Sequence, residues 1–275
     1  MGKLALVVGC LLILFKLLTG SSFFKSNTNV DSDEDTAPGW DAIDEAFAKI
    51  YPQQKNPLHI ATVMPSILGG PDPLDGISIY DGGEFWHFVT YGFSELYTKE
   101  SKYPEISGYG FELTFKLKKT HIKQDEEYEK FKEFFEKYDK YSEQSEKYKK
   151  FFEEHSEHCK ECKELMNVCQ TLQTVAKWIF EGYMEPVSAF HYIFPKQNRG
   201  IDCKGKSGIT GLICVPERLI NEISTPHGNV KFIELVGVTT SELNALKSKK
   251  ITVTDLYRRL NSDITDYRRN SVISE

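Results

Sequence analysis

The chain has 275 residues, enough for one large domain or two small ones. A hydrophobic content of 40% and an aromatic content of 13% can fill a substantial core, which excludes wholesale disorder and collagen-like or low-complexity classes. Lysine and arginine number 34 against 40 aspartate and glutamate, and this net charge of −6 argues against a protein that coats nucleic acid.

The first predicted element is an apolar N-terminal segment. Leu4–Phe15 is an unbroken run of apolar and small residues, shorter than the roughly 20 that a membrane span needs. Residues 1–21 therefore resemble a signal peptide, although Leu4–Leu18 is an alternative uncleaved anchor if Lys16 extends to the interface. We expect a membrane-associated or exported protein, with the cytoplasm as the alternative. Residues 22–38 are predicted to be a disordered acidic linker.

The first part of the folded region is predicted to contain one helix and several strands. Trp40–Ile50 places apolar residues three and four apart, which predicts an amphipathic helix. Runs of β-branched, aromatic and alternating residues then predict strands. These are Leu58–Ile67, Ile77–Tyr80, Phe85–Thr90 and Phe111–Lys118.

A charged segment follows that differs from the rest of the chain. Residues 125–180 contain no proline and no glycine, and aromatic side chains recur among lysines and glutamates at helical spacing. This pattern predicts a long helical insertion at about residues 122–172, with the aromatic stripe as a packing seam. A break at Ser142–Ser145 favours a hairpin of two helices over one rod, and both remain open.

The last part of the chain returns to mixed structure. Strands are predicted at Phe190–Phe194, Ile209–Val215 and Asn229–Val238. Helices are predicted at Thr240–Ala245, with Thr240 as the N-cap, and at Val253–Leu260, before an extended tail at Asp263–Val272. The order of elements predicts the α+β class: one mixed sheet domain over residues 39–275, interrupted by the insertion.

The sequence contains no familiar catalytic motif. It has no phosphate-binding glycine loop, no Gly-x-Ser-x-Gly and no His-Glu-x-x-His. No cofactor is therefore expected, and the chain is predicted not to be an enzyme. A hydrolase that uses a Cys/His pair or zinc is the alternative, because a fold can bring such residues together from distant positions.

The strongest metal-ligand pattern in the sequence is His155, His158, Cys159 and Cys162. These residues share one helical face, and zinc accepts nitrogen and sulfur ligands. One straight helix cannot place four ligands around an ion, so we assign no metal and keep the four as weak candidates.

Two cysteines flank a short glycine-containing segment. Cys203 and Cys214 enclose a stretch that can turn back on itself, so a disulfide is possible in an oxidising compartment. Free, partly buried thiols are the alternative, and the spacing does not decide between them.

Several blocks of sequence resemble the suppressor of fused family. The blocks occur in the same order as in that family, from about Gly39 to Leu246. They read Asn56-Pro57-Leu58, Leu68-Gly69-Gly70-Pro71-Asp72-Pro73-Leu74-Asp75, Trp86 to Tyr97, Gly108 to Phe115, Ala176 to Phe180, Thr225-Pro226-His227-Gly228 and Phe232 to Val238. The closing Asp263–Val272 stretch is similar to the ending of single-domain bacterial members.

The resemblance implies a mixed α/β domain that binds proteins and has no catalytic chemistry. Animal members sequester a zinc-finger transcription factor through a peptide held between two domains, and bacterial members resemble immunity proteins of toxin systems. The sequence departs from the animal pattern: it has no second domain, it carries the insertion, and Phe190 stands where an acidic residue precedes the histidine. Immunity against a toxin is therefore favoured over regulation of a transcription factor or a membrane-tethered scaffold role.

The predicted function is non-covalent binding of a toxin-like or regulatory protein, with no nucleic acid and with membrane attachment possible through residues 4–18. Aromatic side chains are expected to bury apolar surface of the partner, and the acidic balance to steer a basic partner. The predicted partner-binding residues are Trp86, Tyr91, Tyr97, Tyr109, Trp178 and His191.

Overall fold

The computed structural model describes residues 36–54, 57–61, 73–119, 160–194 and 199–273. These residues form an α+β fold, as predicted, with one mixed sheet and four helices. The helices are α1 (Pro38–Ile50), α2 (Lys160–Phe180), α3 (Thr240–Lys247) and α4 (Val253–Leu260). The strands are β1 (Leu58–Ala61), β2 (Gly76–Asp81), β3 (Phe85–Tyr91), β4 (Ile106–Lys118), β5 (Tyr192–Ile193), β6 (Ile209–Pro216), β7 (Glu222–Thr225), β8 (Gly228–Thr239) and β9 (Ile264–Thr265).

The sheet runs in the order β1-β2-β3-β4-β8-β6-β5, with β7 paired to β8 and β9 paired to β4. Its centre is a parallel pair, β4 with β8, in which Leu113 lies opposite Ile233. The pairs outside this centre along the main path are antiparallel. The central strands are covered on both faces, which explains why β3 and β8 read as nearly continuous apolar runs.

Helix α2 covers one face of the sheet. Its apolar stripe, which includes Leu165, Leu172 and Ile179, packs in one cluster with inward side chains of the central strands. From β4 these are Phe111, Leu113, Phe115 and Leu117, at the two-residue spacing that places side chains on one face of a strand. Most of the helical insertion predicted at about residues 122–172 lies outside the described residues; its described part is helical from Lys160 and continues as α2 to Phe180.

The opposite face is covered by the other three helices in two separate clusters. Helix α1 packs Ile43 and Phe47 against Phe232 of β8. Helices α3 and α4 pack Leu243 and Leu256 against other strand residues, including Val236 and Val238 of β8. Glu234 lies on β8 between these two groups, with the same side-chain parity. The gap between the two apolar clusters therefore holds buried polar groups, including Glu234.

Most predicted elements are confirmed, and three differ in detail. The cap of α3 is Thr239 rather than Thr240: its hydroxyl accepts the Glu242 N–H, and the Glu242 carboxylate accepts the Thr239 N–H in return. The predicted strand Phe190–Phe194 shortens to β5 because Phe190 has a positive φ of 71°, outside the extended region. Strand β7 was not predicted.

Both cysteines of the possible disulfide are free thiols. The Cys203 Sγ donates to Glu164 Oε1 at 3.0 Å, and Cys214 is buried in β6. The signal or anchor segment, the linker up to residue 35 and the insertion up to residue 159 lie outside the described residues. Among the helices that the structure describes, none has both the length and the apolar content needed to cross a membrane.

Candidate partner-binding surface

The C-terminal end of α2 carries an exposed pair of aromatic rings. Phe180 and Tyr109 lie with ring centroids 5.3 Å apart in an edge-on arrangement, and they remain 40% and 42% exposed. Beneath them the buried ring of Phe93 contacts both, at 5.4 and 6.3 Å. The pair is thus held from below and presents apolar surface to solvent.

Tyr109 is positioned by the turn before it. Gly108 has φ of +56°, and the Tyr109 N–H donates to the Phe93 carbonyl at 2.8 Å. A Cβ on Gly108 would lie 2.6 Å from that same carbonyl oxygen, so only glycine fits. This turn fixes the exposed tyrosine relative to the loop that follows β3.

That loop is held by one buried carboxylate. Glu112 Oε1 accepts hydrogen bonds from the Gly92 N–H at 3.0 Å and the Ser94 N–H at 2.9 Å, while Oε2 accepts the Thr90 hydroxyl at 2.6 Å. Burial raises the pKa of Glu112 to about 7, against the lowering effect of these donors. The position of Phe93, and of the rings above it, depends on this carboxylate.

A groove of about 500 Å³ lies beside β5. One wall is formed by the chain from Met184 to Ile193, and the other by the end of α3 and the start of α4. Its exposed apolar groups include Phe190, which is 48% exposed, and Tyr192, while Lys249 and Glu185 contribute one charge of each sign. A groove with mostly apolar walls and a few charges is suited to a side chain of a protein partner.

The groove lies at the edge of the sheet. Among the strands that the structure describes, β5 is the last on its side, and its inner partner is β6. Before β5, the Phe190 N–H donates to the Cys214 carbonyl at 2.6 Å, and the Cys214 N–H donates to the His191 carbonyl at 2.8 Å. The segment is therefore pinned to β6 on one side and presents its other side outward.

Three of the predicted partner-binding residues lie near the end of α2 or in the groove. Tyr109 contacts Phe180. Trp178 is half-buried, and its backbone carbonyl accepts a hydrogen bond from the Met184 N–H at 3.0 Å. His191 is exposed and lines the groove, as does Met184. The structure places Phe180 and Phe190 beside these residues; the sequence does not single them out, because an aromatic residue next to a helix end or a tight turn has no distinctive spacing.

The other three predicted residues belong to the interior or its margin. Trp86 is buried in the α2-facing cluster, beneath the ammonium group of Lys119 at 4.1 Å from the ring centroid. Tyr91 is fully buried, stacks on Trp40 at 4.3 Å and donates its hydroxyl to Asp44 at 2.7 Å. Half-buried Tyr97 packs against the α1 cluster. Trp86 and Tyr91 are thus core residues rather than surface residues, which corrects their predicted place in a partner-binding surface.

The four weak metal candidates of the insertion lie outside the side chains that the structure describes. His155, His158 and Cys159 lie outside the described residues, and the side chain of Cys162 is likewise not described. The structure instead groups three other possible ligands, His87, Glu217 and Glu234, all fully buried. Their burial keeps them away from any substrate in solution.

Sequence comparison finds relatives in one family. The family model for "Suppressor of fused protein (SUFU)" matches residues 70–270. The suppressor of fused homologs of Homo sapiens and Mus musculus are each 26% identical to the chain over 223 residues, which cover 75% of this chain and 37% of theirs. The chain thus spans little more than a third of the length of these curated relatives.

Structures of Suppressor of Fused are among the solved structures with a similar fold. The crystal structure of Drosophila Suppressor of Fused superposes with a TM-score of 0.64 at 24% identity, covering 89% of this chain and 54% of that one. A chain of the Sufu–Fu complex crystal structure gives a TM-score of 0.61 at 24% identity, covering 86% and 93%. These similarities establish the fold.

Proposed function

The chain belongs to the suppressor of fused family, and from that premise we propose that it binds a partner protein without chemical change to it and neutralises that partner, in the manner of an immunity protein. The family is known for protein-binding regulators, and one relative forms the Sufu–Fu complex. The observation that carries the proposal is the groove beside β5, where exposed aromatic groups lie next to a sheet edge.

The bound element in this proposal is an extended segment of the partner. An extended segment hydrogen-bonds to the outer side of β5 and inserts an apolar side chain between Phe190 and Ile251. The rings of Tyr109 and Phe180 supply a second apolar contact. Aromatic side chains of this kind provide most of the binding energy in many protein interfaces.

Charge favours a partner with a net positive charge. The chain carries a net −6, and complementary net charge accelerates encounter. At the groove itself, Lys249 and Glu185 provide one charge of each sign, which fixes the orientation of the bound segment more than its affinity.

The first test identifies the partner and then measures its affinity for the chain. A photo-crosslinking amino acid at Tyr192 is expressed in the native host, and the crosslinked protein is identified by mass spectrometry and purified. Its affinity is then compared between the native chain and Phe190→Gly. Glycine removes the ring and tolerates the positive φ of 71°, so the fold is kept. We expect affinity to fall by about 2 kcal/mol or more, the size of an interface hot spot.

Tyr103→Ala is the matched control, since Tyr103 is an exposed aromatic residue that does not line the groove. Equal affinity of Phe190→Gly and the native chain would reject the groove as the binding surface. The immunity role has its own readout: expression of the purified partner alone should arrest growth of a host lacking this chain, and co-expression of the native chain should restore growth. Growth unaffected by the partner would reject the immunity role and leave regulation.

A further inference from the structure

The turn between α3 and α4 carries three exposed lysines beside the groove. Lys247 is the last residue of α3, and Lys249 and Lys250 follow it before α4 begins at Val253. Lys249 lines the groove itself. Within the described part of the chain, no carboxylate lies within ion-pair distance of these three ammonium groups. This wall of the groove therefore has a surplus of positive charge.

Lys247 is directed at the edge of the sheet rather than at the end of its own helix. Its Nζ lies 3.9 Å from the ring centroid of Phe194, the residue that follows β5. The Phe194 ring in turn lies edge-on to that of Tyr192, with centroids 5.9 Å apart. An aromatic face attracts an ammonium group but accepts no ordinary hydrogen bond. The N–H donors of Lys247 are therefore held beside β5 and are available to a carboxylate.

Lys249 occupies a backbone position that suits glycine better. Its φ is 55°, in the left-handed region. The Lys249 N–H donates to the Leu246 carbonyl at 2.9 Å. The Lys250 N–H donates to the Ala245 carbonyl at 3.0 Å, and this pattern at a helix end commonly has glycine at the left-handed residue. The turn itself does not require a lysine, whereas an anionic ligand in the groove would.

The opposite wall of the groove carries the opposite charge. Glu185 is exposed and belongs to the wall formed by the chain from Met184 to Ile193. A carboxylate of a bound segment is repelled by Glu185 and attracted by the three lysines. The two walls together therefore determine where an acidic side chain of the segment lies.

We propose that the segment bound in the groove carries acidic residues near its apolar side chain, and that these residues pair with Lys247, Lys249 and Lys250. The inference rests on the proposed function and adds the chemistry of the bound segment. In an extended segment, side chains two and four positions from the apolar one lie on the same face, about 7 and 13 Å away. Carboxylates at these positions reach Lys249 in the groove and then Lys247 above Phe194. The net charge of the partner is a separate quantity, because a basic protein can present an acidic segment.

The test measures the binding of synthetic peptides to the full-length chain. Each probe is a short fluorescent peptide of serine and threonine with one leucine at its centre. The residues two and four positions after the leucine are both aspartate, both asparagine or both lysine. A second set places them before the leucine, so that both directions of the segment along β5 are covered. Affinity is measured by fluorescence anisotropy at low and at high salt.

We expect the aspartate peptide of one set to bind the native chain about tenfold more tightly than its asparagine counterpart, because several exposed ion pairs add up to a difference of this size. The lysine peptide should bind most weakly, and high salt should reduce the difference. A triple variant, Lys247→Gln, Lys249→Gly and Lys250→Gln, should bind the aspartate and asparagine peptides with nearly equal affinity. Glycine is chosen at position 249 because it tolerates the positive φ.

The matched control makes the same change of net charge away from the groove. It combines Lys102→Gln, Lys204→Gln and Lys231→Gln, three exposed lysines that do not line the groove. This control should keep the tenfold preference for aspartate. Circular dichroism verifies that both triple variants are folded.

Equal affinity of the native chain for the aspartate and asparagine peptides would overturn the acidic segment, and so would a preference for aspartate that persists in the folded triple variant at the turn. If Phe190→Gly weakens binding of the same peptides in that case, the groove binds them, and the proposed function stands without the acidic segment. Absence of binding of every peptide to the native chain would also overturn the acidic segment. The photo-crosslinked partner then tests the proposed function separately.

Discussion

Glu112 binds Ser94 twice: its Oε1 accepts the backbone N–H at 2.9 Å and the side-chain hydroxyl at 2.7 Å. A single buried oxygen therefore closes the loop that follows β3. Since this loop supports Phe93, and Phe93 supports Tyr109 and Phe180, one buried carboxyl group holds the backbone beneath an exposed aromatic surface.

The first prediction is a loss of stability as this carboxyl ionises. Burial raises the pKa of Glu112 from 4.5 in the unfolded chain to about 7 in the folded one. A raised pKa means that the folded state holds the proton more tightly, so its contribution is complete below about pH 4.5 and is lost as the pH rises to 7. The difference in unfolding free energy between the native chain and Glu112→Gln should fall by about 3 kcal/mol over this range. Urea unfolding at several pH values measures it, and a flat difference would contradict the assignment.

The second prediction concerns the C-terminal tail, which is attached by an ion pair. Arg269 donates to both oxygens of buried Glu242, at 2.7 and 2.6 Å, while the Val272 N–H donates to Oε1 at 2.9 Å. Arg269→Ala leaves a buried carboxylate without its cation and should cost about 3 kcal/mol of unfolding free energy. Arg269→Lys should recover only part of the loss, because lysine lacks the paired donors.

The unfolding free energy measured at acidic pH tests this ion pair. Burial raises the pKa of Glu242, but the hydrogen bonds from Arg269, Thr239 and Val272 outweigh it and hold the pKa below its ordinary value. The stabilisation is therefore present above the ordinary carboxyl range and disappears as the pH falls through the folded pKa. The native chain and Arg269→Ala should converge in acid, and a constant difference in stability would refute the ion pair.

The third prediction is that Gly108→Ala is destabilising. Alanine would combine an unfavourable positive φ with a contact of 2.6 Å between its Cβ and the Phe93 carbonyl oxygen. The expected cost is about 1–3 kcal/mol in thermal or urea unfolding. Gly208→Ala is the control, since no atom lies within 4 Å of the added Cβ. Equal stability of the two variants would show that the turn is free to rearrange.

The fourth prediction is slow alkylation of the thiols. Burial, and then the hydrogen bond to Glu164, raise the pKa of Cys203 to about 11, and burial raises that of Cys214 to about 12. Few of these thiols are ionised near neutral pH, so iodoacetamide should modify them slowly in the folded chain and rapidly in urea. Glu164→Gln should accelerate reaction at Cys203. Peptide mass spectrometry measures both rates, and a crosslinked Cys203–Cys214 peptide would contradict the free-thiol arrangement.

Local patterns were sufficient for most of the fold. Helix α1 was predicted because the spacing of Trp40, Ile43 and Phe47 is a property of the segment itself. The same holds for the apolar runs of β3 and β8. Strand β7 was missed because its four residues alternate between exposed and half-buried, and pairing with β8 is what makes it a strand.

The sites could be predicted less well, because they depend on which distant segments meet. Trp86 and Tyr91 are of residue types that are enriched at protein interfaces. The helices packed above them decide whether they face the core or solvent. His87 and Glu234 are ordinary strand residues in the sequence. Their proximity follows from the order of β3, β4 and β8 in the sheet.

The parallel pairing of β4 with β8 has a consequence for synthesis on the ribosome. All of β1 to β4 leaves the exit tunnel well before Gly228–Thr239, so the growing chain holds an incomplete sheet with β4 at its margin. An unpaired apolar edge strand of this kind can pair with other chains and aggregate. Late pairing of distant segments also slows folding. Chaperone demand during translation should therefore peak between the emergence of Lys118 and that of Thr239.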